Sequence, residues 1–291
     1  MASYVRPTSL EEALEHLSAV HANAARMNAA GPVILAGGTD FYPARVGRAL
    51  DEDVLDITGI PYLQGIGETD EGWRIGAATT WSAVANADLP PFFDALRQAA
   101  RQIGGAQIQN SGTVAGNLCN ASPAADSVPP LLAMRAKMEI HGPQGRRDVP
   151  LGEFITGNRR TVLKPGELVA AVLVPRPKKE ARSVFLKLGA REYLVISIAM
   201  VSVVLETEGG VVSGASVAVG ACSAVAQRLS FLESELIGRR LNAALANRVK
   251  PAHFDGLSPI DDIRATAGYR REAAEVLVRR ALTMLGKQKG N

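Results

Sequence analysis

The run Thr113-Val114-Ala115-Gly116-Asn117-Leu118-Cys119-Asn120-Ala121-Ser122-Pro123-Ala124-Ala125-Asp126 restricts the folds open to this chain more than any other stretch. It strings together small residues, hydroxyls and amides, then ends in a carboxylate just before the apolar segment from Val128 to Met134. Gly116 and the flanking alanines leave little side chain in the way, so the backbone approaches something closely there. Thr113, Asn117, Asn120 and Ser122 offer hydrogen bonds, and Asp126 stands where an acidic residue caps the start of a helix running from about Ala125 to Met134. A packed apolar core has no use for such polar density, whereas a large polar ligand does.

A second segment of the same character lies earlier, at Pro32-Val33-Ile34-Leu35-Ala36-Gly37-Gly38-Thr39-Asp40. Its apolar half reads as a buried strand that runs straight into a Gly-Gly-Thr-Asp turn. Consecutive N–H groups at such a turn form an anion-binding nest suited to a phosphate. One glycine pair alone fits an ordinary strand-to-helix turn, but two such loops in one chain point to a dinucleotide held between them. Neither G-x-G-x-x-G nor G-x-x-x-x-G-K-[ST] occurs: the nearest approach, Gly65-Ile66-Gly67, has Asp70 where the third glycine belongs. A Rossmann or P-loop site is therefore not expected.

At 291 residues the chain has room for one large domain or two ordinary ones. The formal charge of +3 is small and no basic stripe is interleaved with aromatics, which argues against nucleic acid as a partner. No apolar run reaches the length of a membrane span and Met1 to Leu10 lacks the form of a signal peptide, so the expected address is the cytoplasm. Two cysteines, Cys119 and Cys222, fall short of the four thiolates of an iron–sulfur cluster. The histidines His16, His21, His141 and His253 are scattered without ligand spacing, so no metal site is expected in this chain. Cys119 sits inside the ligand loop without an adjacent Lys, Arg or His to lower its pKa, and reads as a small filler.

Thr8-x-x-Glu11 reads as a capping box for a helix with Leu10, Ala13, Leu14 and Leu17 on one face. Short strands are expected at 54–57 and 73–77, with Thr79 or Thr80 capping a helix to about Ala87 and Pro91 opening another to about Ile103. Further strands are expected near 137–141 and 168–174. Val174-Pro175-Arg176-Pro177-Lys178-Lys179 is the best boundary, since two prolines followed by charge stop a strand and make a semi-rigid linker. The division expected is 1–176 and 177–291. Beyond it come long apolar strands at 184–188, 195–205 and 211–219, with Gly209-Gly210 as a hairpin turn. Helices then follow near 229–237, 240–246 and 268–285. The class is α+β, and the alternation of strands and helices in the first half leaves a parallel sheet open there.

At the two glycine loops the chain resembles the medium, FAD-binding subunit of the molybdenum hydroxylases, the carbon monoxide dehydrogenase and xanthine dehydrogenase group. That family's signatures are an Ala-Gly-Gly-Thr-Asp loop and a Thr-x-Gly-Gly-Asn loop running into Ala-Ser-Pro-Ala-Ala-Asp. Ala36 to Asp40 matches the first throughout, and Thr113 to Asp126 matches the second except at Ala115, where the family usually has Gly. The similarity extends from Tyr4-Val5-Arg6-Pro7 to Asp261-Asp262-Ile263-Arg264-Ala265-Thr266-Ala267-Gly268-Tyr269-Arg270-Arg271. It implies a two-lobed FAD-binding domain (PCMH-like) with the flavin stretched between the lobes, followed by a C-terminal α/β sandwich of the CO dehydrogenase flavoprotein type.

The cofactor residues expected are Leu35, Ala36, Gly37, Gly38, Thr39, Asp40, Thr113, Val114, Ala115, Gly116, Asn117, Ser122, Asp126, Val169 and Lys187. The Gly37–Thr39 amides and the Thr113–Asn117 segment suit a diphosphate. Asp126 suits either a ribose hydroxyl or a helix cap. Val169 and Lys187 match family positions beside the flavin ring, although Lys187 by itself reads as an edge-strand charge. Tyr193 suits either a flavin shield or a domain-interface aromatic. No histidine is set in the glycine-bearing loops to attach a flavin, so FAD is expected to be non-covalent, and no candidate general base emerges. The resemblance further implies a large molybdenum–pterin subunit and a small subunit with two iron–sulfur clusters (2Fe–2S), assembled as a dimer of heterotrimers. This chain would pass their electrons to NAD, oxygen, a quinone or a cytochrome. Two rivals are a stand-alone FAD-dependent oxidase or dehydrogenase, and a scaffold that has kept the fold and lost the flavin.

Overall fold

The computed structural model describes residues 2–27 and 31–287. Its N-terminal lobe holds a three-stranded parallel sheet, β1 (Tyr4–Val5), β2 (Val33–Leu35) and β3 (Val54–Asp56), in the order β1-β3-β2. Helix α1 (Leu10–Met27) packs on it through Leu10, Ala13 and Leu17, and each fully buried leucine contributes about 1.5–3 kcal/mol. The capping contacts lie one residue later than the sequence pattern suggests. Ser9 Oγ accepts from the Glu12 N–H, and the Glu12 carboxylate accepts from the Thr8 N–H.

The second lobe is built on a five-stranded antiparallel sheet. Its strands are β4 (Ile66–Thr69), β5 (Gly72–Gly76), β6 (Lys137–Gly142), β7 (Gly145–Pro150) and β10 (Leu168–Pro175), ordered β4-β5-β10-β6-β7. A small hairpin of β8 (Ile155–Gly157) and β9 (Arg160–Thr161) precedes the last strand. The first half thus contains both the parallel sheet left open by the pattern and a separate antiparallel lobe. The apolar central strand β10 is buried between partners, whereas the outer strands β4 and β7 are short and largely exposed and charged, as sheet edges commonly are.

Helices α2 (Trp81–Asn86), α3 (Asp94–Gln102), α4 (Ala106–Ser111), α5 (Val114–Asn120), α6 (Val128–Ala133) and α7 (Leu151–Phe154) also belong to this half, with α5 and α7 packing on the sheet itself. Thr80 caps α2 by accepting from the Ala83 N–H. The expected second ligand loop is largely helix: Thr113 is the N-cap of α5, its hydroxyl accepting from the Gly116 N–H at 3.2 Å. The following helix begins only at Val128, and Asp126 does not cap it.

The C-terminal part is a four-stranded antiparallel sheet, β11 (Glu180–Leu188), β12 (Ala199–Glu208), β13 (Val211–Gly220) and β14 (Gln227–Arg228), with helices α8 (Ser230–Leu236) and α9 (Ala267–Lys287). Gly209 and Gly210 both have positive φ, as a two-residue primed hairpin turn requires. Its long apolar runs follow from burial on both faces. Val201, Val203 and Leu205 face α9 and α8, while Phe185, Met200 and Val204 join the core of the N-terminal half. Residues 195–198 lie outside the strand expected there, and 189–198 form an irregular connection instead. The edge strand β11 is covered: the Phe185 N–H donates to Gln98 Oε1 and Ser183 Oγ donates to the Phe92 carbonyl.

Candidate functional site

Strand β2 delivers Leu35 and Ala36 into the turn Gly37–Asp40, where Gly38 adopts φ +70°. Among the described residues, the N–H groups of Gly37, Gly38, Thr39 and Asp40 donate to no protein acceptor. Such a row of free donors beside a left-handed glycine is a preformed anion nest. Gly37 is fixed by close approach rather than by φ. A Cβ there would stand 2.0 Å from the Ser111 carbonyl oxygen and 2.7 Å from Gly112 Cα, so the first loop rests directly on the backbone leading into α5. At Gly116 a Cβ would come within 2.7 Å of Thr113 Oγ1, the hydroxyl that caps the same helix, and 3.8 Å from Ala36 Cβ, so a larger side chain there crowds both the cap and the first segment.

The two segments face each other across a cleft of about 710 Å³, within the size range of cofactor sites. Leu35, Ala36, Gly37, Gly38, Thr39, Asp40, Thr113, Ala115, Gly116, Asn117 and Val169 all line it. Val169 stands where the register of β10 against β6 slips, a bulge at the cleft wall. The amides of the second segment are not free, contrary to what its composition suggests. Val114 and Ala115 donate to the Thr79 and Ala77 carbonyls, and Gly116 and Asn117 donate to Thr113. What this segment offers the cleft is close backbone approach and the Asn117 amide, whose oxygen accepts from Ser127 Oγ at 2.6 Å.

Val114, Ser122, Asp126 and Lys187 lie outside the cleft lining. Val114 is fully buried in the core, and Ser122 Oγ accepts from the Ala124 N–H. Asp126 and Lys187 form a buried pair, 2.6 Å between Oδ2 and Nζ, and Ser197 Oγ donates to the other carboxylate oxygen. Burial pushes the Asp126 carboxyl above its usual range, opposed by the Lys187 ammonium and the Ser197 hydroxyl. Lys187 Nζ also lies 3.4 Å from the Gln102 carbonyl, and the next residue, Ile103, forms the cleft wall, so the pair stands directly behind that wall.

Several cleft residues carried no local sequence signal. Ile103, Ile108, Trp81 and Leu168 add apolar surface to the lining, and Phe41 and Arg45 line it too, with the Arg45 guanidinium over the Phe41 ring. Arg159 lines the cleft from the turn between β8 and β9 with φ +57°. Asn120, noted in the sequence only as a polar donor, bonds Asp40 Oδ2 at 2.7 Å and accepts from Arg159. Cys119 also lines the cleft, and burial pushes its thiol up to about 12. Among the described residues, no histidine lines the cleft. Tyr193 is exposed, on the irregular connection that brings Leu194 to within 3.1 Å of a Cβ placed on Gly105.

Free amides at a glycine turn, a cleft of cofactor size and a largely apolar lining together fit a flavin dinucleotide. The fold and cleft thus define a two-lobed flavoprotein carrying an additional C-terminal domain. Comparisons with known proteins agree. Residues 1–177 match the FAD binding domain in molybdopterin dehydrogenase, and residues 185–285 match the CO dehydrogenase flavoprotein C-terminal domain. The chain is 30% identical over 275 residues to the xanthine dehydrogenase FAD-binding subunit of Escherichia coli O157:H7, covering 92% of this chain and 94% of that one. It is 30% identical over 285 residues to the carbon monoxide dehydrogenase medium chain of Hydrogenophaga pseudoflava, covering 96% and 95%. Among solved structures, a reconstituted CO dehydrogenase from Oligotropha carboxidovorans superposes with a TM-score of 0.86 at 27% identity, covering 99% of each chain. The chain belongs to the FAD-binding medium subunits of the molybdenum hydroxylase family: it is an oxidoreductase flavoprotein subunit whose cofactor is FAD.

Proposed function

We propose that this chain is the electron exit of a molybdenum hydroxylase complex. It binds FAD non-covalently between residues 36–40 and 113–117 and delivers electrons from a small iron–sulfur subunit to an external acceptor such as NAD, oxygen, a quinone or a cytochrome. FAD, when bound, accepts electrons singly and releases them in pairs. The chain's own residues bind and orient it. The Gly37–Asp40 amides hold the diphosphate, Asn117 adds a neutral donor, and Val169, Ile103 and Ile108 exclude water from the ring. Asp126 and Lys187 form the charged element behind the ring, Lys187 favouring negative charge there. Ser122 and Val114 support the α5 turn. The cofactor domain is assigned to residues 1–176 and the flavoprotein domain to 177–291, in a cytoplasmic dimer of heterotrimers with small and large subunits.

The observation that carries this reading is the row of free amides at Gly37–Asp40 resting on the backbone before α5. Replacing Gly116 with Leu should strip flavin from the purified complex and abolish electron delivery to the external acceptor. Full flavin content in both Gly116→Leu and Gly38→Val would overturn the placement. Turnover of an organic substrate by the isolated chain would favour the stand-alone enzyme.

A further inference from the structure

Among the described residues two cations, Arg45 and Arg159, line the cleft, and they differ in how they are held. Arg45 is neutralised by Glu52 at 2.6 Å. Arg159 has no carboxylate partner among the described residues; its Nη1 donates to the Asn120 side-chain oxygen and backbone carbonyl, both neutral, and its remaining guanidinium donors are free. The backbone around it is committed to this placement. The Arg159 N–H donates to the Ala121 carbonyl at 3.0 Å, and both residues occupy the left-handed region, φ +57° and +48°, which non-glycine residues enter only when the surroundings hold them there. Asn120 then bonds Asp40 Oδ2 at 2.7 Å, so a single amide separates the Arg159 guanidinium from the residue that ends the free-amide turn.

We infer that Arg159 is the counter-cation of the FAD diphosphate, aimed at it by Asn120. The inference rests on the proposed seating of the diphosphate at Gly37–Asp40. Amides alone neutralise none of its charge, and Asp40 adds a carboxylate beside it. A guanidinium bonded to a neutral amide keeps its full charge and its forked donors for a phosphate. Among the described contacts the arginine bonds the Asn120 amide and not the Asp40 carboxylate, to which Asn120 itself donates.

The test is a comparison of FAD with riboflavin, which lacks the diphosphate, binding to the flavin-stripped full-length chain, followed by flavin fluorescence. Arg159→Gln should weaken FAD by about 10- to 100-fold, the loss of one charge-assisted contact. Riboflavin should change by no more than about twofold, Arg159→Lys should restore part of the FAD affinity, and the salt dependence of FAD binding should flatten in Arg159→Gln. Arg159 is exposed, so thermal unfolding of the stripped variants should match the parent. Unchanged FAD affinity, or an equal loss for FAD and riboflavin, overturns the assignment. If the parent chain itself holds riboflavin as tightly as FAD, the seating of the diphosphate in this cleft fails, and the inference with it.

Discussion

Replacing Gly37 with alanine probes the contact on which the cleft is built. The added Cβ would sit 2.0 Å from the Ser111 carbonyl oxygen and 2.7 Å from Gly112 Cα, both backbone atoms that cannot rotate aside. Carbon–oxygen contacts settle near ~3.3–3.6 Å, so the two loops must part by more than about 1 Å. Strain of this kind in a packed region costs about 1–3 kcal/mol. If the cofactor needs the closed arrangement, the same energy appears as a 5- to 150-fold loss of FAD affinity, at about tenfold per 1.4 kcal/mol. The apparent Tm should fall by roughly 2–4 °C for each kcal/mol. Gly67 provides the control: it has open space around its Cβ position and no positive φ, and Gly67→Ala should stay within about 0.5 kcal/mol of the parent. The assay is FAD titration by fluorescence together with thermal unfolding of the same samples. A Gly37→Ala chain that binds FAD like the parent would refute the reasoning.

Thr113→Val removes the α5 cap and should cost about 1 kcal/mol in chemical denaturation, with Thr113→Ser close to the parent. Asp126→Asn leaves Lys187 buried without its charge partner and should cost about 3–5 kcal/mol; in a double-mutant cycle with Lys187→Met the combined loss should be well below the sum. Burial raises the Glu139 carboxyl, but hydrogen bonding and charge from Arg74, with Arg146 and His141, outweigh it and hold the group below its ordinary value near 4.5. Its stabilising contribution is therefore present above about pH 4.5 and lost as pH falls through the lowered value, so the stability gap between parent and Glu139→Gln should close on acidification. Burial holds both thiols far above neutral pH, Cys119 at about 12 and Cys222 at about 11, so a thiol reagent at pH 7.5 should label neither in the native chain and both in urea.

The parts of the fold and site legible in the sequence were those whose chemistry is local. The Gly37–Gly38 turn after an apolar strand, the Gly209–Gly210 hairpin and the apolar strands of the C-terminal sheet each state their geometry within a few residues. Helix α5 reads as loop in the sequence because its small polar residues suit both, and only its backbone bonds to Ala77 and Thr79 decide the matter. Strands β4 and β7 are not legible in the sequence because an exposed, charged edge strand lacks the apolar alternation that marks a half-buried one. Ile103, Ile108 and Arg159 come to the cleft from three separate segments, and nothing in their neighbours distinguishes them from ordinary core or surface residues. The Asp126–Lys187 pair joins residues far apart in sequence, so the carboxylate's burial and its partner appear only in the folded chain.

The most direct test of the electron-exit proposal is to purify the tagged chain gently from its native host and measure flavin, iron and molybdenum in the same fraction. The proposal predicts one FAD for each copy of this chain, with iron and molybdenum carried by a co-purifying small and large subunit, and bleaching of the flavin absorbance when the metal centres are reduced. A yellow protein that arrives alone and oxidises an organic compound by itself, or an assembly whose flavin stays oxidised while its iron–sulfur centres are reduced, would contradict it.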